Sequence, residues 1–392
     1  MRNQNTMNTP SRKALALTMK VSAVALTVAA MASVTSGEDG KRYDSFTPGG
    51  LWLDDKGVHI NAHGGGILYD HGVYYWFGEH KIAGDEGNRA HVGVHCYSSG
   101  DLYNWKDEGV ALAVMPDGSG SDIEKGCILE RPKVIYNAKT KKYVMWFHLE
   151  TKSMGYKAAR SGVAVSDRVT GPYTFIRSAR PDAGHWPVNV LPAHQSGVVP
   201  SRGKSYGGDG LPAHPDELNI VGRDFEGGQM ARDMTLFVDD DGTAYHIFAS
   251  EENSSLHISQ LSDDYQSHSG KWARFFVNRF MEAPAVCKHD GKYYFFASGC
   301  TGWAPNAARS AVAPSIWGPW EELGNPCAGE KAEITFGAQS TFILPVAGKP
   351  GTLIFMADQW RPDNAIDGRY LWLPLRFEDG KPVIRNQAEW RY

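Results

Sequence analysis

HGGGILYDHGVYYWFGE, residues His63–Glu79, reads as two strands around a tight turn, because apolar and aromatic residues flank Asp70-His71-Gly72, a turn signal of the Asp/Gly kind. Its opening poses a problem: three consecutive glycines stand directly before an apolar strand, where glycine costs stability and gives the core nothing to pack. The phrase recurs. The further copies are ERPKVIYNAKTKKYVMWFHLE from Glu130, RDMTLFVDDDGTAYHIFASEEN from Arg232, EAPAVCKHDGKYYFFASG from Glu282 and AQSTFILPVAGKPGTLIFMADQW from Ala338. In each, a short apolar run enters a turn rich in Asp, Gly, Asn or Lys and leaves it as an aromatic strand. Further strand-like runs, such as HVGVHCYSSGDLYNW and ARSAVAPSIWGPW, follow the copies. Short strands with no sustained helical period mean an all-β chain, and a multi-stranded sheet repeated five times means a five-bladed β-propeller. The longest interval, between the second and third copies, holds the Pro/Gly/His-rich stretch Pro192–Leu218, expected as a loop over one face.

The chain has 392 residues, of which 42% are apolar, and a formal net charge of −4. That balance, with no Lys/Arg cluster beyond the N-terminal segment, argues against a nucleic-acid partner. Residues 1–36 differ from the rest: Arg2, Arg12, Lys13 and Lys20 precede the apolar run VSAVALTVAAMA, and Ala30-Met31-Ala32 suits a cleavage site. The segment reads as a secretion signal peptide, because the run is shorter than the roughly 20 residues a spanning helix needs. The mature chain, residues 37–392, is then one propeller domain without a membrane span, periplasmic or secreted. Five scattered cysteines, Cys96, Cys127, Cys287, Cys300 and Cys327, without CxxC spacing indicate neither a zinc site nor a disulfide framework, and leave one or two bridges open.

In a propeller the first strand of each blade lines the central channel, so the residues at its start face one pocket. Through the five copies that position reads His63/Gly64, Glu130, Asp233, Glu282 and Gln339. A single strand-end acid is most simply a solvated turn residue. Three at one phase of a repeat point to chemistry, since acids gathered in a confined pocket raise one another's pKa. Cleaving a glycosidic bond needs a protonated acid on the leaving oxygen and an activated water. Trp303 and Trp360 stand near these positions, either as core residues or as platforms for a sugar face.

These residues resemble glycoside hydrolase family 43, the five-bladed propeller enzymes of plant-polysaccharide breakdown, over essentially the whole mature chain. RDMTLFVDDDGTAYHIF is similar to that family's segment bearing the aspartate that tunes the acid, which implies Asp233. EAPAVCKHDGKYY is similar to its general-acid segment, which implies Glu282. Most of the family opens blade one with an aspartate serving as base, whereas this chain reads NAHGGG. Together HINAHGGGILY, ERPKV, SGCTGWAPN and GAQSTF resemble the exo-β-1,3-galactanase branch, subfamily 24, in which a glutamine stands in the base's functional place, here Gln339. That glutamine positions the water or acts through an imidic-acid tautomer. The glycines then let the backbone approach the sugar. The resemblance further places Glu130 in the sugar subsite and implies Glu79, Tyr156, Glu252, Asn253, Thr301 and Trp303 as sugar contacts. Glu226 and Asp358 read as structural acids. It implies an inverting exo-acting hydrolase that releases galactose from β-1,3-galactan, the backbone of type II arabinogalactan. No cofactor is required, and a structural calcium as in some relatives is left open. The rival readings are a related α-L-arabinofuranosidase or β-xylosidase, and a galactan-binding propeller without catalysis.

Overall fold

Each copy of the phrase forms the two innermost strands of one antiparallel sheet, and five such sheets make the five blades of a β-propeller. The computed structural model describes residues 42–190, 192, 195 and 220–392. The expected signal peptide and nearly all of the stretch Pro192–Leu218 lie outside the described residues. Blade one comprises β1 (His63–Asp70), β2 (Val73–His80), β3 (Gly93–Ser99) and β4 (Lys106–Ala113). Blade two comprises β5 (Ile128–Asn137), β6 (Lys142–Glu150), β7 (Arg160–Ser166) and β8 (Thr174–Ala179). Blade three comprises β9 (Met234–Val238), β10 (Ala244–Ser250), β11 (Ser255–Leu261) and β12 (His268–Phe275). Blade four comprises β13 (Glu282–His289), β14 (Lys292–Ser298), β15 (Arg309–Ala313) and β16 (Glu321–Gly324). Blade five has β17 (Cys327–Ala328), β18 (Gln339–Pro345), β19 (Leu353–Gln359), β20 (Arg369–Glu378) and β21 (Lys381–Arg385), with the short β17 added parallel to β21 at the outer edge.

The innermost strands contact one another in a closed ring: β1 with β5, β5 with β9, β9 with β13, β13 with β18, and β18 with β1. Hydrophobic side chains from the facing sheets fill the five spaces between neighbouring blades, which explains why each phrase alternates apolar and aromatic residues on both of its faces. The space between blades five and one is the most aromatic. There Trp52, Trp76, Trp105, Tyr370 and Trp372 interlock in edge-to-face and tilted pairs. Phe46 stacks on Trp390 at 4.6 Å and exchanges two backbone hydrogen bonds with it, so the two ends of the propeller chain are tied together. The five cysteines are buried and free. Among the described residues no helix is long and apolar enough to cross a membrane.

Candidate active site

At the start of β1, β5 and β13 the ladder slips by one residue, between His63 and Gly66, Glu130 and Lys133, and Glu282 and Ala285. The residue after each slip position takes a left-handed backbone: Gly64 at φ 62°, Arg131 at 57° and Ala283 at 53°. These are β-bulges, which bend a strand end and re-aim its side chain. Two of them, in β5 and β13, aim Glu130 and Glu282 into one cavity of about 1050 Å³ that Asp233, Gln339 and Trp360 also line. Propeller geometry and a local bulge thus converge the repeat's polar positions.

The glycine run is required by the packing around it. A Cβ on Gly64 would meet the Glu79 carboxyl, one on Gly65 the Phe77 carbonyl, and one on Gly66 the Lys133 side chain. Every one of those directions is filled by protein. Blade one supplies a carboxylate after all, from β2: Glu79 is the ladder partner of His63, and it occupies the space beside Gly64. Burial raises the pKa of Glu79 against the pull of Lys81, whose Nζ lies 2.5 Å away. Asn61 clamps Lys81 by two hydrogen bonds of 2.8 Å to its backbone. Asp358, read from the sequence as structural, is buried on β19 and accepts the Gly64 N–H at 2.7 Å.

Arg131 joins the blades across the axis. Its backbone N–H donates to Glu79 Oε1 at 3.0 Å, and its guanidinium donates to Asp233 Oδ2 at 2.9 Å, Gln339 Oε1 at 2.6 Å and the Ser340 carbonyl at 3.2 Å. Gln339 Oε1 also accepts the Trp360 indole N–H at 2.9 Å, while Nε2 donates to Ser298 Oγ at 2.9 Å. Two N–H donors on the oxygen fix the amide's orientation, since the flipped amide would turn its NH₂ toward them. One N–H is left to hold a water. The imidic-acid tautomer carries its proton on oxygen, where Arg131 and Trp360 already donate, so this arrangement favours the amide. Sequence reading passed over Arg131 as the residue after Glu130; its left-handed φ and its reach across the axis have no linear signature.

The two buried glutamates have opposite surroundings. Burial works to raise the Glu130 carboxyl, but His148 Nδ1 at 3.0 Å, nearby positive charge and the Tyr156 hydroxyl at 2.8 Å hold it well below the usual carboxylate range. His148 is raised to about 9: burial opposes its charge, and hydrogen bonds to Glu130 and Glu150 outweigh that. Glu282 is pushed up to about 7, first by burial and then by the charge of Asp233, with Cys300, Arg131 and Arg232 pulling the other way. Its Oε1 accepts Asn253 Nδ2–H at 2.8 Å. Asn253 ends a run of three left-handed residues, Glu251, Glu252 and Asn253, which cost roughly 1–2 kcal/mol each in isolation. Buried Glu251, paired with Arg274 at 2.5 Å and His257 at 2.9 Å, anchors that run.

The remaining expected contacts lie around the cavity wall. Tyr156 and Trp303 line it, and Trp303 meets Trp360 edge to face at 6.0 Å. Glu252 lines it too and is bound by Arg223 at 2.6 Å. Thr301 differs: it is exposed and outside the cavity lining, and its hydroxyl donates to the Ala304 carbonyl at 2.6 Å and accepts from Asn306, closing the loop that presents Trp303. Glu130, His148 and Asp233 bring ligand atoms within 4.8 Å of one another. Calcium does not fit them, because it takes six to eight oxygens, both His148 nitrogens are bonded to carboxylates, and the Arg131 guanidinium already neutralises Asp233.

Residues 216–351 match the sequence profile of Glycosyl hydrolases family 43. Among solved structures, a family 43 β-1,3-galactosidase with galactodeoxynojirimycin is 50% identical, with a TM-score of 0.81 over 88% of this chain and 100% of its own. A second family 43 β-1,3-galactosidase is 35% identical, with a TM-score of 0.74 over 89% of this chain and 64% of its own. The exo-β-1,3-galactanase of Phanerochaete chrysosporium with β-1,3-galactotriose is 32% identical, with a TM-score of 0.72 over 89% of this chain and 68% of its own. The search among curated proteins found no match.

Proposed function

The chain belongs to glycoside hydrolase family 43, and from that premise we propose that it removes galactose from the non-reducing end of β-1,3-galactan with inversion at the anomeric carbon. The observation that carries the reading is Glu282, a carboxyl raised to about 7 on the wall of the cavity. A carboxylic acid that keeps its proton near neutral pH is what a glycosidic leaving oxygen requires. Glu282 donates that proton as the bond to the anomeric carbon breaks, and Asp233 keeps the proton on Glu282 until then. Water attacks the opposite face, oriented by the remaining N–H of Gln339. Each Glu130 oxygen already accepts one protein donor and keeps a second lone pair for a sugar hydroxyl. Trp303 and Trp360 offer ring faces to the sugar. Acid and water suffice for this reaction, so it calls for no cofactor.

The substrate follows from the relatives, named for β-1,3-galactan and β-1,3-galactosides. Residues 1–36 act as a secretion signal in this reading, which N-terminal sequencing of the exported protein tests. The deciding experiment is a product assay on β-1,3-galactobiose, with arabinan and xylan oligomers alongside. Release of galactose, seen first as the α-anomer by NMR, is expected. Galactose affinity without release would leave a binding propeller, and release from arabinan or xylan alone would move the enzyme to the related pentosidases.

A further inference from the structure

Among the described residues, Glu282 is bonded on one oxygen only. Oε1 accepts both Asn253 Nδ2–H at 2.8 Å and the Cys300 S–H at 3.0 Å. Asn253 Nδ2 also lies 3.7 Å from Cys300 Sγ, so the three groups close a triangle. No described residue donates to Oε2, and that atom is absent from the buried unbonded oxygens, which leaves it open to the cavity. Cys300 is 2% exposed. Burial and the neighbouring Glu282 charge push its thiol pKa up, so it stays S–H and stays a donor.

A carboxylic acid carries its proton on one oxygen and accepts hydrogen bonds best on the other. Two donors at Oε1 make it the carbonyl oxygen and disfavour a proton there. We propose that Cys300 is a positioning residue for the general acid: with Asn253 it occupies Glu282 Oε1, so that the proton sits on Oε2 and faces the leaving oxygen. The inference rests on the reading of Glu282 as that acid. In the step, the Oε2–H bond breaks and its proton passes to the glycosidic oxygen, which keeps the electron pair of its broken bond to the anomeric carbon. Water supplies the new hydroxyl and gives up one proton to solvent. The charge left on the carboxylate spreads to Oε1, where the Asn253 and Cys300 hydrogen bonds strengthen as it develops. The other charged groups facing Glu282 are Arg131 from β5 and Arg232 and Asp233, the two residues directly before β9. All three remain in a Cys300 variant.

The test is the pH dependence of kcat and kcat/KM on β-1,3-galactobiose for the full chain and for Cys300→Ala, Cys300→Ser and Glu282→Gln, with galactose affinity by calorimetry. Cys300→Ala loses a donor to the ionised form, so its alkaline limb should move up by about half a pH unit. Its kcat should fall roughly three- to tenfold, with galactose affinity within about twofold of the parent. Cys300→Ser keeps a donor, and a stronger one, so its limb should move down and its kcat stay within about threefold of the parent. Coincident limbs in the parent and both Cys300 variants, or equal losses of kcat in both Cys300 variants without limb movement, overturn the inference. If Cys300→Ala does not fold, Cys300→Ser decides alone, and an unmoved or raised limb overturns it. Failure of the underlying reading looks different: Glu282→Gln itself would then keep turnover and the parent's alkaline limb.

Discussion

Glu130 and Glu282 stand at one structural position in two blades, and they behave as opposites. Both precede a left-handed bulge residue, both sit on an innermost strand and both line the same cavity. Across the ladder, however, Glu130 faces His148, whereas Glu282 faces Ser298. An imidazole held between two carboxylates becomes a cation and keeps Glu130 ionised. A serine that accepts from Gln339 gives Glu282 no such charge, and Asp233 then tips it toward the protonated acid. The repeat fixes where a carboxyl points; its cross-strand partner decides whether it can hold a proton.

The largest expected effect breaks the comparison if it falls on the wrong glutamate. Glu282→Gln should lower kcat on β-1,3-galactobiose by roughly 10²–10⁴ while an activated aryl galactoside suffers less, since its leaving group needs less protonation. The same pattern in Glu130→Gln, with Glu282→Gln within tenfold of the parent, would reverse the assignment. Arg131→Met should come next. It leaves Asp233 without its cation and Gln339 without a donor, so turnover should fall and stability drop by about 3 kcal/mol or more in denaturant unfolding, as for a broken buried pair. Because Arg131 pulls the Glu282 pKa down, the residual activity should keep its alkaline limb at higher pH.

The next variant sharpens the contrast between partners. His148→Asn removes the cation from Glu130, and losing a charge-assisted hydrogen bond of about 1.5–3 kcal/mol should weaken galactose binding roughly 10- to 150-fold, with kcat less affected. Calorimetry on parent and variant measures this, and unchanged affinity would confine Glu130 to a structural ion pair. The smallest effect is in stability against pH. A carboxyl whose folded pKa is raised contributes stability below its unfolded value of 4.5 and loses it as pH rises through about 7. Glu282→Gln should therefore melt roughly 1–3 °C above the parent at pH 8 and level with it at pH 4. A parent that gains on the variant with rising pH would show that Glu282 is ionised in the fold. In catalysis the sign is the same, and kcat/KM should fall as pH rises through about 7.

The repeated phrase made the fold legible, because period-2 patterning and turn residues act locally and recur in every blade. The phase of the repeat likewise picked out Glu130, Asp233, Glu282 and Gln339, since a propeller brings equal phases to one axis. The glycines and Thr301, which the resemblance set toward the sugar, have their protein neighbours elsewhere, at Glu79, Phe77, Lys133 and Asn306. The phase of the repeat by itself does not distinguish the two glutamates, which only the resemblance set apart. Their difference comes from His148, Arg131, Asn253 and Cys300, which reach the site across a ladder, across the axis or from a left-handed loop.

The sequence alone thus determined the blades and the ring of polar strand ends, because each depends on residues close together in the chain. The protonation state of those ends was decided by the tertiary structure. A pKa responds to burial and to charges a few ångströms away, and here those charges come from other strands and other blades.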